Sequence, residues 1–442
     1  MVADSTAGAT FLDRDLAAAL DDHEAGRLSD AVAGYQRVLD RDPDNADALH
    51  LMGVAETQRG AAATGVALIE QAVARDGDRA DVYANLAKAL REVGRPEDAV
   101  AAAERACGLA PTDPEMMADL GVLYHLQLRI DDAEAAFRRT VTLDPNFARG
   151  RYNLGATLKA RGALGPALQE LEAALRLEPA NIDARFNIAA ILIAQGEAEA
   201  ALEVLRASLE LAPGHAVVLA YMALALNELG RQEDCGALLG LDTLVRPFRL
   251  SAPAPYPDME AFNRALANHI LAQAEVMADP ELQATRNGLH TGQLLREPLG
   301  PIAPFHAAVT EALKSYVREL PSLPGHPFTG RRPVDVDTSM WAVVMNSGGH
   351  QLPHIHGDAY VSGVYYPRVP TVVDSAGVDH DGWIEFGRPS EEFCCRAEPM
   401  LRLIKPEEGL LVLFPSYVYH RTVPFRSNQQ RISIAFDFVE IG

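Results

Sequence analysis

The spacing of apolar positions changes once along the chain, and with it the predicted architecture. From residue 11 to about residue 240, apolar side chains recur at helical intervals, as in Tyr152, Leu154, Leu158 and Ala167, Leu168, Leu171, Leu175. From residue 333 the period drops to two. The runs TSMWAVVM, VSGVYYP, GWIEFG, LRLIKP, GLLVLFPS and RISIAFDF read as short strands separated by turns, which predicts a β-sandwich or jelly roll. Between these halves, the prolines of LDTLVRPFRLSAPAPYPDM bar a helix and mark a boundary. MEAFNRALANHILAQAEVM and PIAPFHAAVTEALKSYVREL then read as two amphipathic helices, followed by the loop LPSLPGHPFTGRRP.

The helical half repeats itself every 34 residues. Pro43, Pro111, Pro145, Pro179 and Pro213 share one register, with Gly77 in the remaining slot. A second register holds Gly53, Gly121 and Gly155 with Ala87, Ala189 and Ala223, and a third holds Ala31, Gly65, Ala99, Ala133, Ala167 and Ala201. A fourth holds Gly26, Gly60, Gly94, Gly162, Gly196 and Gly230, with Leu128 as its exception. Small residues let paired antiparallel helices approach closely. The glycines of the fourth register allow the left-handed backbone that ends the first helix of each pair. The prolines are expected to start the next helix, where a missing N–H costs nothing. Four concordant registers resemble the tetratricopeptide repeat, over roughly half the chain. That resemblance implies stacked helix pairs with a concave surface for a protein or peptide. The alternative role is dimerisation or support of the next domain, and a homodimer is compatible with the sequence. The last pair, near 214–240, breaks down at Gly240 and is expected to cap the stack.

Composition narrows the classes. The chain has 442 residues, 48% of them apolar, enough to bury a normal core. Its net charge of −22 argues against nucleic-acid binding. No apolar run reaches the roughly 18 residues of a membrane span, and the start MVADSTAGATFLDRD lacks the form of a secretory signal. Cys107, Cys235, Cys394 and Cys395 show no metal-ligand spacing, which fits a reducing, cytoplasmic setting. The preference for arginine over lysine suggests a GC-rich bacterial genome. The expected map is a flexible tail over 1–10, repeats over 11–240, a linker with supporting helices over 241–332, and a catalytic jelly roll over 333–442.

The candidate chemistry lies in the strand-rich end. In PHIHGDAY, His354, His356 and Asp358 alternate onto one face of a strand end; His420 follows in FPSYVYHRTVP, and Arg431 in QQRISIAF. RSNQQ reads as the turn joining the last two strands, which would then run side by side and turn His420 and Arg431 into one cavity. A His-x-Asp pair plus a distant histidine is the pattern that holds iron(II) on one face of an octahedron and leaves three positions open. A keto acid fills two of them and dioxygen the third. The distal carboxylate of the keto acid needs a fixed cationic fork, a role suited to Arg431 with Ser433 two residues on. One of Tyr365 and Tyr366 faces the core and the other the site; Tyr366 is the candidate to bond the cosubstrate. Trp341, Trp383, Phe386 and Phe414 are expected in the core, and Glu385 is a candidate to face the cavity.

QLPHIHGDAYVSGVYYP, GWIEFGRP, LLVLFPSYVYHRTVPF and RISIAFDF resemble the bacterial 2-oxoglutarate–iron(II) oxygenases that carry tetratricopeptide repeats. This resemblance spans residues 255–442. It implies a double-stranded β-helix, with iron(II) as metal, 2-oxoglutarate as cosubstrate and dioxygen as oxidant. By its implication the chain is a dioxygenase (a hydroxylase) of a protein or peptide recruited by the repeats, with His356, His420 and Arg431 central. Relatives usually show His-x-His-Pro, where this chain has Gly357 and an acid at Asp358. Two metal sets therefore stand open: His356, Asp358 and His420, which is favoured, or His354, His356 and His420. A repeat scaffold with an inactive barrel, and a cupin-type metal protein without 2-oxoglutarate, are the rival readings.

Overall fold

The computed structural model describes residues 4–273, 277–278, 284–323, 325–333, 335–375 and 380–441. Contacts divide the chain into two compact units, Met1–Pro179 and Ala180–Gly442.

The first unit is five helix pairs, from Asp4–Glu24 with Leu28–Leu39 to Ala148–Ala160 with Leu164–Leu177. Residues 4–10, expected as a tail, belong to its first helix. The small-residue registers work as close-packing points. A Cβ added at Gly121 would come within 2.6 Å of the Phe137 ring, and Ala99, Ala133 and Ala167 are fully buried. The fourth register is left-handed throughout, Leu128 included, with φ of 58°. The prolines act differently from expectation. Pro43, Pro111 and Pro179 sit in the turn between pairs, two residues ahead of Asn45, Asp113 and Asn181. Those three cap the next helix through their side chains, because an acceptor at that position satisfies an orphaned helix N–H.

The second unit opens with the last two helix pairs, Ile182–Gln195 with Ala198–Leu211 and Ala216–Glu228 with Gln232–Leu239. They belong to it because they pack on its sheet-bearing part. Tyr221 meets Phe393 at 4.9 Å, Tyr417 donates to the Leu238 carbonyl at 2.7 Å, and Glu228 accepts the Arg396 and Ala397 amides. The structural division therefore falls inside the repeat array, not at residue 240.

Ten described strands form one antiparallel sheet. They are β1 (Arg246–Arg249), β2 (Met277–Ala278), β3 (Thr285–His290), β4 (Val336–His354), β5 (Val361–Arg368), β6 (Ile384–Phe386), β7 (Arg402–Ile404), β8 (Leu410–Pro415), β9 (His420–Thr422) and β10 (Arg431–Glu440). Their order is β1-β8-β5-β10-β4-β9-β6-β7, with β3 beside β4 and β2 beside β3. The first half of β4 pairs with β10 and its far end pairs with β9. The expected side-by-side pairing of the last two strands does not occur, since β4 lies between β9 and β10. RSNQQ is thus part of a longer crossover. The helices Met259–Ala272 and Ile302–Arg318 cover the outer face: the Tyr365 hydroxyl donates to Asn263, and Phe305 lies 4.8 Å from the Tyr365 ring. Alternation then turns Tyr366 inward. Among the described residues, no helix is long and apolar enough to cross a membrane.

Candidate functional site

Strand pairing builds a histidine cluster. His354 and His420 are direct partners in the β4–β9 ladder, so their side chains share a face, with ring centroids 4.2 Å apart. His356, two residues beyond His354, returns to that face, 5.3 Å from His354 and 5.1 Å from His420. One ring nitrogen of each lies within 4.8 Å of the other two. Among the described residues, this is the only group of three or more potential metal ligands so placed. The Asp358 carboxylate stands outside it, contrary to the favoured set. β4 ends at His354; residues 355–356 carry no turn and His356 keeps the face, whereas the turn at Gly357 and Asp358 takes the carboxylate away from it.

Each histidine is oriented through Nδ1. His354 bonds the Leu352 carbonyl at 2.8 Å and His420 the Val418 carbonyl at 3.2 Å. A carbonyl only accepts, so these contacts place the proton on Nδ1 and leave Nε2 a free lone pair. His356 Nδ1 meets both carboxylate oxygens of Asp437, at 2.6 and 2.7 Å, and Asp437 also accepts from Ser362 at 2.6 Å. Burial, with the charge of neighbouring His356, pushes His354 down to about 4. Burial, with His354 and His356, holds His420 well below the ordinary range. Both rings are therefore neutral at pH 7, the form that binds a metal.

The sequence did not single out Asp437. Its signal was the alternation Arg431, Ser433, Ala435, Asp437, which carries one face of β10 from the cavity floor to its mouth. In register, that face meets Met345, Val343, Trp341 and Ser339 of β4, while Val364 and Ser362 of β5 lie opposite Ala435 and Asp437.

Arg431, Ser433 and Tyr366 line the same cavity as the three histidines, with Phe414 and Ile384 in its walls. Arg431 is 1% exposed. Its only hydrogen bond among the described residues runs from Nη1 to the Met345 sulfur at 3.6 Å, and no carboxylate pairs with it. The Arg431 Nε and the Tyr366 hydroxyl are buried without a partner, the guanidinium carbon lying 5.0 Å from the Tyr366 ring. Burial lowers the pKa of Arg431, opposed by Tyr366, and burial raises that of Tyr366, opposed by Arg431. Such unsatisfied groups are costly unless a polar, anionic ligand completes them.

Other candidates fall elsewhere. Glu385 points away from the cavity and is clamped by Arg388 and Arg421, at 2.5 and 2.6 Å. Trp341 is a cavity wall rather than core, stacking on His356 at 5.7 Å. An open cleft of about 500 Å³ shares Trp341, Gln351, His354 and His356 with the inner cavity, so the cluster sits where the two meet.

Fold and site together define a repeat array joined to an oxygenase-like sheet domain. Comparison with known families agrees. Tetratricopeptide-repeat models match residues 16–80, 63–114, 84–148 and 158–224, and the family described as "Putative 2OG-Fe(II) oxygenase" matches residues 339–437. The chain carries tetratricopeptide repeats across 16–224 and a C-terminal domain of that oxygenase family. Similar solved structures include MamA, 24% identical over 36% of this chain and 93% of that one, TM-score 0.34. They also include YrrB, described as a TPR protein with an unusual peptide-binding site, 23% identical over 38% of this chain and 88% of that one, TM-score 0.35. PilF of Pseudomonas aeruginosa is 19% identical over 48% of this chain and 96% of that one, TM-score 0.44. A search of curated proteins finds no match.

Proposed function

We propose that the C-terminal domain, a double-stranded β-helix, is an iron(II)- and 2-oxoglutarate-dependent oxygenase acting on a protein or peptide recruited by the repeats. The observation that carries this reading is Arg431, a buried cation without a counter-ion in the cavity that holds three convergent imidazoles. His354, His356 and His420 would hold the metal, and the donor set fits it: three imidazole nitrogens, each ring fixed from behind. Iron(II) with 2-oxoglutarate and dioxygen supplies the oxidising power, coupling loss of carbon dioxide from the keto acid to insertion of one oxygen atom into a C–H bond.

The chain's own residues do the rest. Arg431 grips the distal carboxylate through two parallel N–H donors, with the Ser433 and Tyr366 hydroxyls in reach of the same ligand. Asp437 holds the His356 tautomer and supports its basicity. Phe414 and Ile384 keep water out. Trp341 and His356 border the open cleft through which substrate reaches the metal.

The test is anaerobic titration of the iron-loaded protein with 2-oxoglutarate, then succinate release on adding air. Saturable binding with succinate production supports the reading. Metal binding without 2-oxoglutarate binding replaces it with a cupin-type metal protein, and no metal binding leaves a repeat scaffold. His420→Ala is expected to abolish metal binding while retaining the helical and sheet signatures of the fold.

A further inference from the structure

The cleft over the histidines does not end at the cluster. It shares Gly357, Asp358 and Ala359 with a second hollow of about 250 Å³, bordered by Gly214, His215 and Ala216. These last residues begin the helix Ala216–Glu228 of the final repeat pair, and the packing there is direct: a Cβ on Gly357 would lie 3.2 Å from Val217. The hollows therefore form one path from the end of the repeats to the metal cluster, with Asp358 lining both parts.

The charges along this path are accounted for, except one. Glu440 pairs with Arg331 at 2.5 Å, and Asp437 is taken up by His356 and Ser362. His215 faces Asp358, but burial lowers its pKa and keeps it neutral. The exposed Asp358 carboxylate makes no hydrogen bond or ion pair with any described residue. It is the one uncompensated full charge among the described aspartate, glutamate, arginine and lysine side chains lining either hollow. Two open hollows joined at Gly357, Asp358 and Ala359 suit an extended chain that occupies both, and a lone carboxylate at their junction suits one cationic side chain.

We propose that Asp358 is a specificity determinant, selecting peptide substrates with a lysine or arginine beside the residue presented to the metal. This rests on the oxygenase reading and gives the carboxylate a role at the substrate rather than at the metal. One solvent-exposed ion pair sets the expected preference at about two- to five-fold.

The test passes full-length protein, loaded anaerobically with manganese(II) and 2-oxoglutarate, over an immobilised library of random decapeptides. Asp358→Lys and Asp358→Asn are run in parallel. Metal affinity and the 2-oxoglutarate melting shift are measured first on all three proteins. If none binds metal or 2-oxoglutarate, the oxygenase reading itself has failed. With those signals intact, wild type is expected to enrich Lys and Arg about two- to five-fold, Asp358→Asn to lose the enrichment, and Asp358→Lys to favour Asp and Glu. Absence of enrichment in wild type, or identical enrichment in all three, overturns the proposal. So does loss of metal binding in a folded Asp358→Asn, which would make the carboxylate a ligand.

Discussion

Replacing Arg431 by methionine separates two effects that usually run together, stability and ligand affinity. The guanidinium is 1% exposed and its only described hydrogen bond goes to the Met345 sulfur, so the ligand-free protein carries a desolvated charge with almost nothing in return. Exchanging buried ionic groups for an apolar side chain of similar volume is neutral or stabilising by about 1–4 kcal/mol. At roughly 2–4 °C per kcal/mol for a unit of this size, Arg431→Met should melt no lower than wild type, and by up to about 15 °C higher. Affinity for 2-oxoglutarate should move the opposite way. Two hydrogen bonds to a charged group at about 1.5–3 kcal/mol each amount to about 3–6 kcal/mol, a loss of at least a hundred-fold. At a concentration about 100 times the wild-type Kd, the cosubstrate stabilises wild type by about 2.7 kcal/mol; after a hundred-fold loss the gain falls to about 0.4 kcal/mol. Calorimetric melting of the manganese-loaded proteins, with and without 2-oxoglutarate, reads both signs in one experiment. A variant that melts far below wild type, or that keeps its full 2-oxoglutarate shift, would refute the reasoning, because Arg431 would then have a partner in the resting protein or no part in binding the dicarboxylate.

Three further outcomes are expected. Asp437→Asn should weaken metal binding by about 10–100-fold, measured by competition with a chelator, because His356 loses the carboxylate that orients it. The metal-free protein should lose stability in urea as the pH falls below about 6.5 and on through about 4. The unfolded chain takes up protons at His354 and His420 in that window while the folded rings, with lowered pKa, refuse them. Leu128→Gly should raise the melting temperature, the gain in stability being about 0.5–1 kcal/mol. Leu128 is 53% exposed and left-handed at a register where the other six repeats carry glycine.

How far the sequence carried each part follows from the range of the forces involved. The 34-residue registers were legible because each helix pair repeats the same local contacts, as at Gly121 against Phe137. The strand runs were legible as short apolar stretches between turns, continuous in β8, whose six residues are all buried, and alternating in the second half of β10. Strand order was not. That β4 would insert between β9 and β10 depends on a 19-residue strand pairing different neighbours along its length, a tertiary property with no local mark. His420 and Arg431 were expected to share a cavity through a side-by-side pairing that does not occur; they line one cavity because β4 pairs with β9 at its far end and with β10 along its first half. The choice between His354 and Asp358 was not legible, because it depends on the turn at Gly357 and Asp358 just beyond the end of β4. The role of Asp437 has no local mark in the sequence, because it arises only once β10 is set beside β5 and His356 is brought to it from beyond the end of β4.

The displacement of Asp358 and the capture of Asp437 make joint sense as charge balance in a buried site. Arg431 brings one positive charge and the proposed iron(II) two, while three imidazoles bound to a metal bring none. Asp437, bonded to His356 Nδ1, supplies one negative charge, and a doubly ionised 2-oxoglutarate supplies the remaining two. The assembled pocket is then neutral overall, which matters where uncompensated charge is most expensive. Were Asp358 a ligand in place of His354, Asp437 would still sit behind His356, and the loaded pocket would carry a net negative charge. A three-histidine centre with its carboxylate one bond removed therefore fits both the metal and the dicarboxylate better than a carboxylate ligand would. It also leaves Asp358 free to face the path along which a substrate arrives.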